Sequence, residues 1–472
     1  MDSPPSRLEV IVLAAGRGTR MRSCLPKVLH DLAGKPLLAH VLDTARALNP
    51  RKIHVVIGYE ADRVRSVFSS EKDLSWVEQK QQRGTGHAVK QVLPHVGDDA
   101  LVLVLFGDNP LVQQNTLEKV ISKLGQPETK NTPDIVLVTA EVAEPAGLGR
   151  ILRDPAGKLA AIVEDKDATP EQLAIREINT GIMAAAKMLL QPYIDQLEPD
   201  NAQNELYLTD IVALAAKSGI DIAVCTTEEE YEALGINDRA QLAGVERVYQ
   251  NLEAQRLMLG GVTLRDPSRL DIRGDVDVGM DSILDANIVL EGRVKLGERV
   301  RVSSGVCIRD SIIEDDVVIN PNTVIEGAMI GKRCELGPFA RLRPGSELEE
   351  SVKLGNFVET KKSHIARGTK ASHLSYLGDS DIGERSNIGA GTIVCNYDGV
   401  DKHKTVIGDD VFVGSNATLI APLKIGDGGF IAAGSTISIE VAEEELAIGR
   451  GKQRNITGWT PPAKRKPKIN RE

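Results

Sequence analysis

The sequence predicts an α/β domain over residues 1–237, a linking helix over 238–262, and a parallel β-helix over 263–472. Three observations predict this. Up to about residue 235, short aliphatic runs alternate with stretches of helical period. Over Asp238–Leu259, apolar residues keep three- and four-residue steps and stop at Gly260-Gly261. Beyond Pro267, aliphatic residues return at six-residue steps.

Within the first region the runs Glu9–Leu13, Ile53–Gly58, Ala100–Phe106 and Asp134–Thr139 read as buried strands. Leu37–Leu48 and Leu117–Leu124 carry a helical stripe. Strands that alternate with helices predict a mainly parallel sheet covered on both faces. In the second region the six-residue step runs through Leu296, Val302 and Ile308, then Ile313, Ile319 and Ile325, then Ile330 to Leu354. It resumes at Ile382 and at Ile407, often with a glycine next in sequence. Each hexad makes one flat strand and a turn, and three hexads close a coil stacked roughly 4.8 Å on the last. Extra residues break the step at Lys361–Asp381 and Cys395–Val406, which reads as two inserted loops.

Composition narrows the function. A length of 472 residues exceeds one core. The five cysteines are scattered without a Cys-x-x-Cys pair, so neither a disulfide framework nor a zinc site is expected. The N-terminus carries no basic, then apolar, leader, and no run is long enough to span a membrane, so a cytoplasmic protein is expected. A net charge of −10 argues against nucleic-acid binding and requires anion-binding cations to be concentrated locally. The basic segment 461–472 reads as a solvated tail.

One such concentration follows the first strand. Ala14-Ala15-Gly16-Arg17-Gly18-Thr19-Arg20-Met21 is a small-residue loop that lets backbone N–H groups approach phosphate, with Arg17, Arg20 and Lys27 close by. It lacks the Gly-Lys-Ser/Thr of a Walker loop, and Met21 stands where a dinucleotide fingerprint needs its third glycine. Farther on, Asp108 ends the strand LVLVLF at the sheet edge where ligands of such folds bind. An aspartate there serves as a turn residue as often as it binds a metal.

The segments LAAGRGTRM, QQRGTGHAV, FGDNPL, GLGRILRD, IVEDKDA, EINTGI, NELYLTD and GIND, taken in this order and followed by hexapeptide repeats, resemble one family. It is the bacterial bifunctional N-acetylglucosamine-1-phosphate uridylyltransferase/glucosamine-1-phosphate N-acetyltransferase. The resemblance implies a Rossmann-like mixed sheet of the nucleotidylyltransferase type and a left-handed β-helix. It also implies that Leu13, Ala14, Ala15, Gly16, Lys27, Gln79, Gln82, Gly84 and Thr85 surround the uridine nucleotide. Gly149, Glu164 and Asn179 would hold the N-acetylglucosamine moiety. Asp108 and Asn237 would bind Mg²⁺, and Arg20 and Lys27 would act with it as a sugar-phosphate oxygen attacks UTP and pyrophosphate leaves. Leu148 and Asn109 depart from the family's common Tyr and Val or Thr.

In the repeats, FARLRPG, GNFVETKK, HLSYLGD, NIGAGT and CNYDG gather polar groups that an inert prism does not need. His373 can take a proton from an ammonium substrate near neutral pH. By the resemblance it is the general base of acetyl transfer. Arg343 and Lys361 would grip the sugar phosphate, Tyr376 and Asn387 would place the sugar, and Glu359 would orient His373. Ala390, Asn396, Tyr397, Ser415, Ala433 and Arg450, with Trp459, would line the acetyl-CoA site. The implied substrates are UTP, glucosamine-1-phosphate, N-acetylglucosamine-1-phosphate and acetyl-CoA. The implied assembly is a homotrimer, and the implied product a precursor of peptidoglycan and lipopolysaccharide. Two rival readings are a one-activity pyrophosphorylase with a regulatory β-helix, and a scaffold whose catalytic half has decayed. The acetyl-transfer residues oppose the first, and the presence of Arg20, Lys27, Asp108 and Asn237 opposes the second.

Overall fold

The strand Leu8–Ala14 is buried along its whole length, because both faces of a parallel sheet are covered by helices. In the computed structural model, which describes residues 7–124, 132–459 and 461, this strand lies near the middle of a mixed sheet. The order across the sheet is Ile222–Thr226, Ile135–Glu141, Glu177–Ala186, Leu101–Phe106, Leu8–Ala14, Lys52–Ile57, Leu74–Glu78. Glu177–Ala186 runs antiparallel to both its neighbours, and the others pair in parallel. The hairpin Gly149–Arg153 with Leu159–Val163 hangs from the start of that antiparallel strand. Its position brings Gly149 beside Asn179.

Residues up to 254 with Ile272–Gly274 form one compact unit, and 255–271 with residues from 275 onward form a second. The helix Arg239–Leu259 begins where Asp238 Oδ1 accepts from the Gln241 amide at 2.9 Å, and ends at Gly261, whose φ of +90° closes it.

The second unit is a left-handed parallel β-helix. Its coil advances 17 or 18 residues: Arg299 meets Asp316 at a separation of 17, and Arg309 meets Glu291 at 18. Inward side chains stack in columns, Leu290, Ile308, Ile325 and Leu342 being one, each wholly buried. Each buried aliphatic side chain contributes about 1.5–3 kcal/mol.

Lys361–Asp381 is not an inserted loop. The coils continue through Thr360, Ile365, Ala371, Leu377 and Ile382, all buried and in register with the coils before and after. Threonine and alanine hold two inward positions, so an aliphatic scan finds a gap where the prism is unbroken. Thr360 Oγ1 satisfies itself on Ser346 Oγ at 2.9 Å. The break at Cys395–Val406 is a true insertion: Arg385 and Asp410, which cap successive coils, lie 25 residues apart. Within it Tyr397 and Lys402 form an antiparallel bridge. The basic segment 461–472, apart from Pro461, lies outside the described residues.

Candidate functional sites

The loop after the first strand opens into a cavity of about 450 Å³. Its walls include Leu13, Ala14, Ala15, Gly16, Lys27, Gln79, Gln82, Gly84, Thr85 and Asp108, so residues far apart in sequence converge as expected. Two glycines are required by geometry. A β-carbon on Gly18, whose φ is +63°, would lie 2.6 Å from Lys27 Cβ, and one on Gly84, whose φ is +96°, would lie 2.5 Å from the Leu206 carbonyl oxygen. Arg17 turns its guanidinium over the Tyr59 ring, 5.4 Å from the centroid. Arg20 sits on the short turn Thr19–Met21 and is exposed, outside the cavity wall.

Lys27 bridges the two oxygens expected to bind a metal. Its ammonium donates to Asp108 Oδ2 and, at 3.2 Å, to Asn237 Oδ1. The Ile236 amide donates to the Asp108 carbonyl at 3.0 Å and fixes the segment that carries Asn237. The two side-chain oxygens thus converge on one cation-sized point. Hard oxygen donors in this number fit Mg²⁺, which keeps water and substrate phosphates for the rest of its shell.

The expected sugar residues lie together along the hairpin. Asn179 pairs in register with Gly149, and a β-carbon on Gly149 would stand 3.5 Å from Glu164 Oε2. Asn179 Oδ1 is buried without a protein partner, an acceptor that a ligand N–H or O–H would satisfy. Glu164 accepts from Thr209 Oγ1 at 3.1 Å. Burial pushes its carboxyl above the ordinary carboxylate range, and Asp210, Asp167 and Asp165 add to the effect. Sequence reading missed Thr209 and also Glu205, which lines the cavity beside the first strand. Both stand in the quoted segment NELYLTD, where the Leu208 amide donates to Thr85 Oγ1 at 3.0 Å and ties the segment to the cavity. Leu148 packs with Ala140, Val142 and Ile178, and Asn109 Nδ2 donates to the Thr180 carbonyl at 3.5 Å.

In the β-helix, stacking brings the polar residues together. Arg341, Glu359 and Tyr376 share one register column, with Lys361 opposite Gly378 in the same ladder. Arg343 Nη1 donates to Glu359 Oε1 at 2.9 Å. The hydrogen bond of Glu359 is thus to Arg343, and that of the His373 ring is to a different residue. His373 ends the strand Lys370–His373 and stands directly above Asn356, whose Oδ1 lies 2.7 Å from its Nδ1. Asn356 was within the quoted GNFVETKK. The seventeen-residue offset between it and His373 is the signal that identifies it.

Asn396, buried in the insertion, donates to Asp379 Oδ2 and, at 3.5 Å, to the Tyr376 hydroxyl oxygen. Lys402 from the same insertion meets Lys361, and contact between the two ammonium groups lowers the Lys402 pKa below its ordinary value. Two facing cations form a place for an anion. Asn387 pairs with Lys370 and Phe412 rather than with His373. Ala390, Ser415 and Ala433 form a column on successive coils. The Asn416 amide donates to the Ala390 carbonyl at 2.7 Å, the Gly434 amide to Ser415 at 2.8 Å, and Arg450 Nη1 to Ala433 at 2.6 Å. Tyr397 and Trp459 are exposed.

Comparison with known proteins agrees with both halves. Residues 10–176 match the MobA-like NTP transferase domain, 272–358 the GMPPB C-terminal domain, and 404–438 the bacterial transferase hexapeptide of six repeats. The chain is 51% identical to the bifunctional protein GlmU of Idiomarina loihiensis, over 98% of this chain and 99% of the relative. It is 51% identical to that of Stutzerimonas stutzeri, over 97% and 100%. With that of Pseudomonas aeruginosa the identity is 54%, over 97% and 99%. Identity at this level across both units means that the chain belongs to the bifunctional GlmU family, a uridylyltransferase and an acetyltransferase in one polypeptide.

Proposed function

We propose that the β-helix acetylates glucosamine-1-phosphate with acetyl-CoA, and that the α/β unit then transfers uridylyl from UTP to the N-acetylglucosamine-1-phosphate so formed. The observation that carries this reading is the convergence of Lys27, Asp108 and Asn237 at a glycine-lined cavity in a chain that also sets His373 above Asn356. Such a chain would act in the cytoplasm, where both activated substrates are made. Among the described residues no helix is long and apolar enough to cross a membrane.

In uridylyl transfer, Gly16 and Gly18 let the loop close on the phosphates while Lys27, Arg17 and Arg20 offset their charge. Glu164 and Asn179 hold the sugar so that its phosphate oxygen faces the α-phosphorus. A new P–O bond forms there, the bond to the β-phosphate bridge breaks, and pyrophosphate leaves. Magnesium, held when bound by Asp108 and Asn237, would supply further neutralisation of the phosphate charge.

In acetyl transfer, Asn356 Oδ1 accepts from His373 Nδ1–H, which leaves the Nε2 lone pair to take a proton from the substrate ammonium. The freed amine attacks the thioester carbonyl, the C–S bond breaks, and the thiolate of coenzyme A leaves. Arg343, Lys361 and Lys402 suit the sugar phosphate, and Tyr376 with Asn396 borders the reacting amine. The column Ala390, Ser415, Ala433 and Arg450 suits the coenzyme along the coils.

A homotrimer is part of the same reading. Phe339, Phe357 and Leu374 are exposed on three successive coils, the two rings stacked 5.5 Å apart, with φ of 56°, 56° and 45°. Bulky apolar side chains in a left-handed backbone conformation are rare, and three of them on one exposed corner suit a surface covered by another copy.

The test is a pair of variants assayed for both reactions. His373→Ala abolishes acetylation and leaves uridylyl transfer within twofold, and Asp108→Ala does the reverse. Equal loss of both activities in either variant would refute two separate sites.

A further inference from the structure

We propose that His87 sets the pyrimidine preference of the nucleotide cavity by fixing which end of the Gln79 amide faces the base. Gln79 is 3% exposed and lies in the cavity wall. Its Nε2 lies 3.0 Å from the Gly84 carbonyl oxygen and 2.9 Å from His87 Nδ1. A carbonyl only accepts, so the nitrogen end of the amide must face Gly84. Both of its hydrogens are then committed, one to Gly84 and one to the ring.

His87 Nδ1 must therefore present its lone pair, and in a neutral ring the hydrogen sits on Nε2. Gln91 Nε2 is placed 3.3 Å from His87 Nε2, and with the ring hydrogen on Nε2 the Gln91 amide must be turned over, so that its oxygen accepts from the ring. Burial, with Arg83 and Lys90 nearby, lowers the His87 pKa below its ordinary value, so the ring is neutral at physiological pH. What remains of Gln79 is Oε1, an acceptor that no described protein group occupies.

An obligate acceptor at this wall distinguishes two bases of equal size. Uracil carries a hydrogen on N3 and donates to it. Cytosine presents a lone pair at N3 and is repelled. If His87 became a donor, the Gln79 amide would turn over, offer N–H to the base, and reverse the preference. The inference deepens the UTP reading and rests on it.

The experiment compares kcat/KM for UTP and CTP on the full chain, with Mg²⁺ and N-acetylglucosamine-1-phosphate, in His87→Gln, His87→Lys and His87→Leu. His87→Gln can still accept from Gln79 and keeps the UTP/CTP ratio within threefold. His87→Lys can only donate and lowers the ratio at least tenfold. His87→Leu, which frees the amide to rotate, lowers it by a smaller factor and serves where lysine is not tolerated. Circular dichroism and melting establish that each variant is folded. An unchanged ratio in folded His87→Lys or His87→Leu, or a loss in His87→Gln equal to that in His87→Lys, overturns the proposal. A wild-type chain that turns over no UTP would instead overturn the nucleotide reading itself.

Discussion

Replacing Lys27 by methionine keeps the aliphatic stem and removes the charge at the centre of the proposed phosphate cradle. The Lys27 and Asp108 side chains are 13% and 16% exposed, so their surroundings screen charge less than bulk water does. A unit pair about 4 Å apart is worth about 4 kcal/mol at an effective dielectric constant near 20. Only the part that grows toward the transition state reaches the rate, and a single preorganised donor of this kind is worth about 2.7–4 kcal/mol, or 10²–10³ in kcat. The expected result is a fall of that size in pyrophosphate release, measured by a coupled phosphate assay. Acetyl transfer, followed by thiol release in the same preparation, stays within twofold.

The same reasoning gives a second route to the same loss. Gly18→Ala removes no cation, but its β-carbon would lie 2.6 Å from Lys27 Cβ in a backbone with φ of +63°. The lysine must shift, and uridylyl transfer should fall at least tenfold through displacement alone. A loss under fivefold in Lys27→Met, or an acetyl-transfer rate that falls in proportion, would refute the cradle.

Two further outcomes follow from particular contacts. Asn356→Ala lowers kcat of acetyl transfer about five- to tenfold, the size of one modest hydrogen bond. Asn356→Asp places a carboxylate on His373 and moves the acid limb of the pH–rate profile up by about one pH unit. A profile that stays put in Asn356→Asp would deny Asn356 its positioning role. Glu164, whose carboxyl is raised by burial, costs the fold stability in its ionised form. That cost is absent below the unfolded carboxyl value near 4.3, builds as pH rises toward the folded value, and is complete above it. Glu164→Gln should therefore raise Tm by a few degrees at pH 8, less as the medium is acidified, while KM for the sugar phosphate rises at least tenfold. An unchanged or lower Tm at pH 8 would contradict it.

The aliphatic columns of the β-helix are legible in the sequence because an inward side chain every sixth residue is what the prism requires. The same logic explains the misreading at Lys361–Asp381. Thr360 and Ala371 fill inward positions with small or self-satisfied side chains, so the physical period persists where the hydrophobic one vanishes. Read by coil length, the segment gives itself away, since Asn356 and His373 are separated by one 17-residue coil. In the α/β unit the first strand and its loop were visible, but the antiparallel strand Glu177–Ala186 was not. Strand direction leaves no mark on hydrophobic pattern, yet this strand is what carries Asn179 to Gly149.

The residues that escaped reading share a cause. Thr209, Asn356 and Lys402 act on another side chain, so no motif requires them until a third dimension supplies the partner. His87 is of the same kind. Its place in QQRGTGHAV says only that a helix begins there, whereas its distance to Gln79 says which hydrogen-bonding face the cavity turns to a base. On the proposal made for His87, base specificity resides one contact away from the ligand, in a residue whose chemistry is expressed through the orientation of its neighbour Gln79.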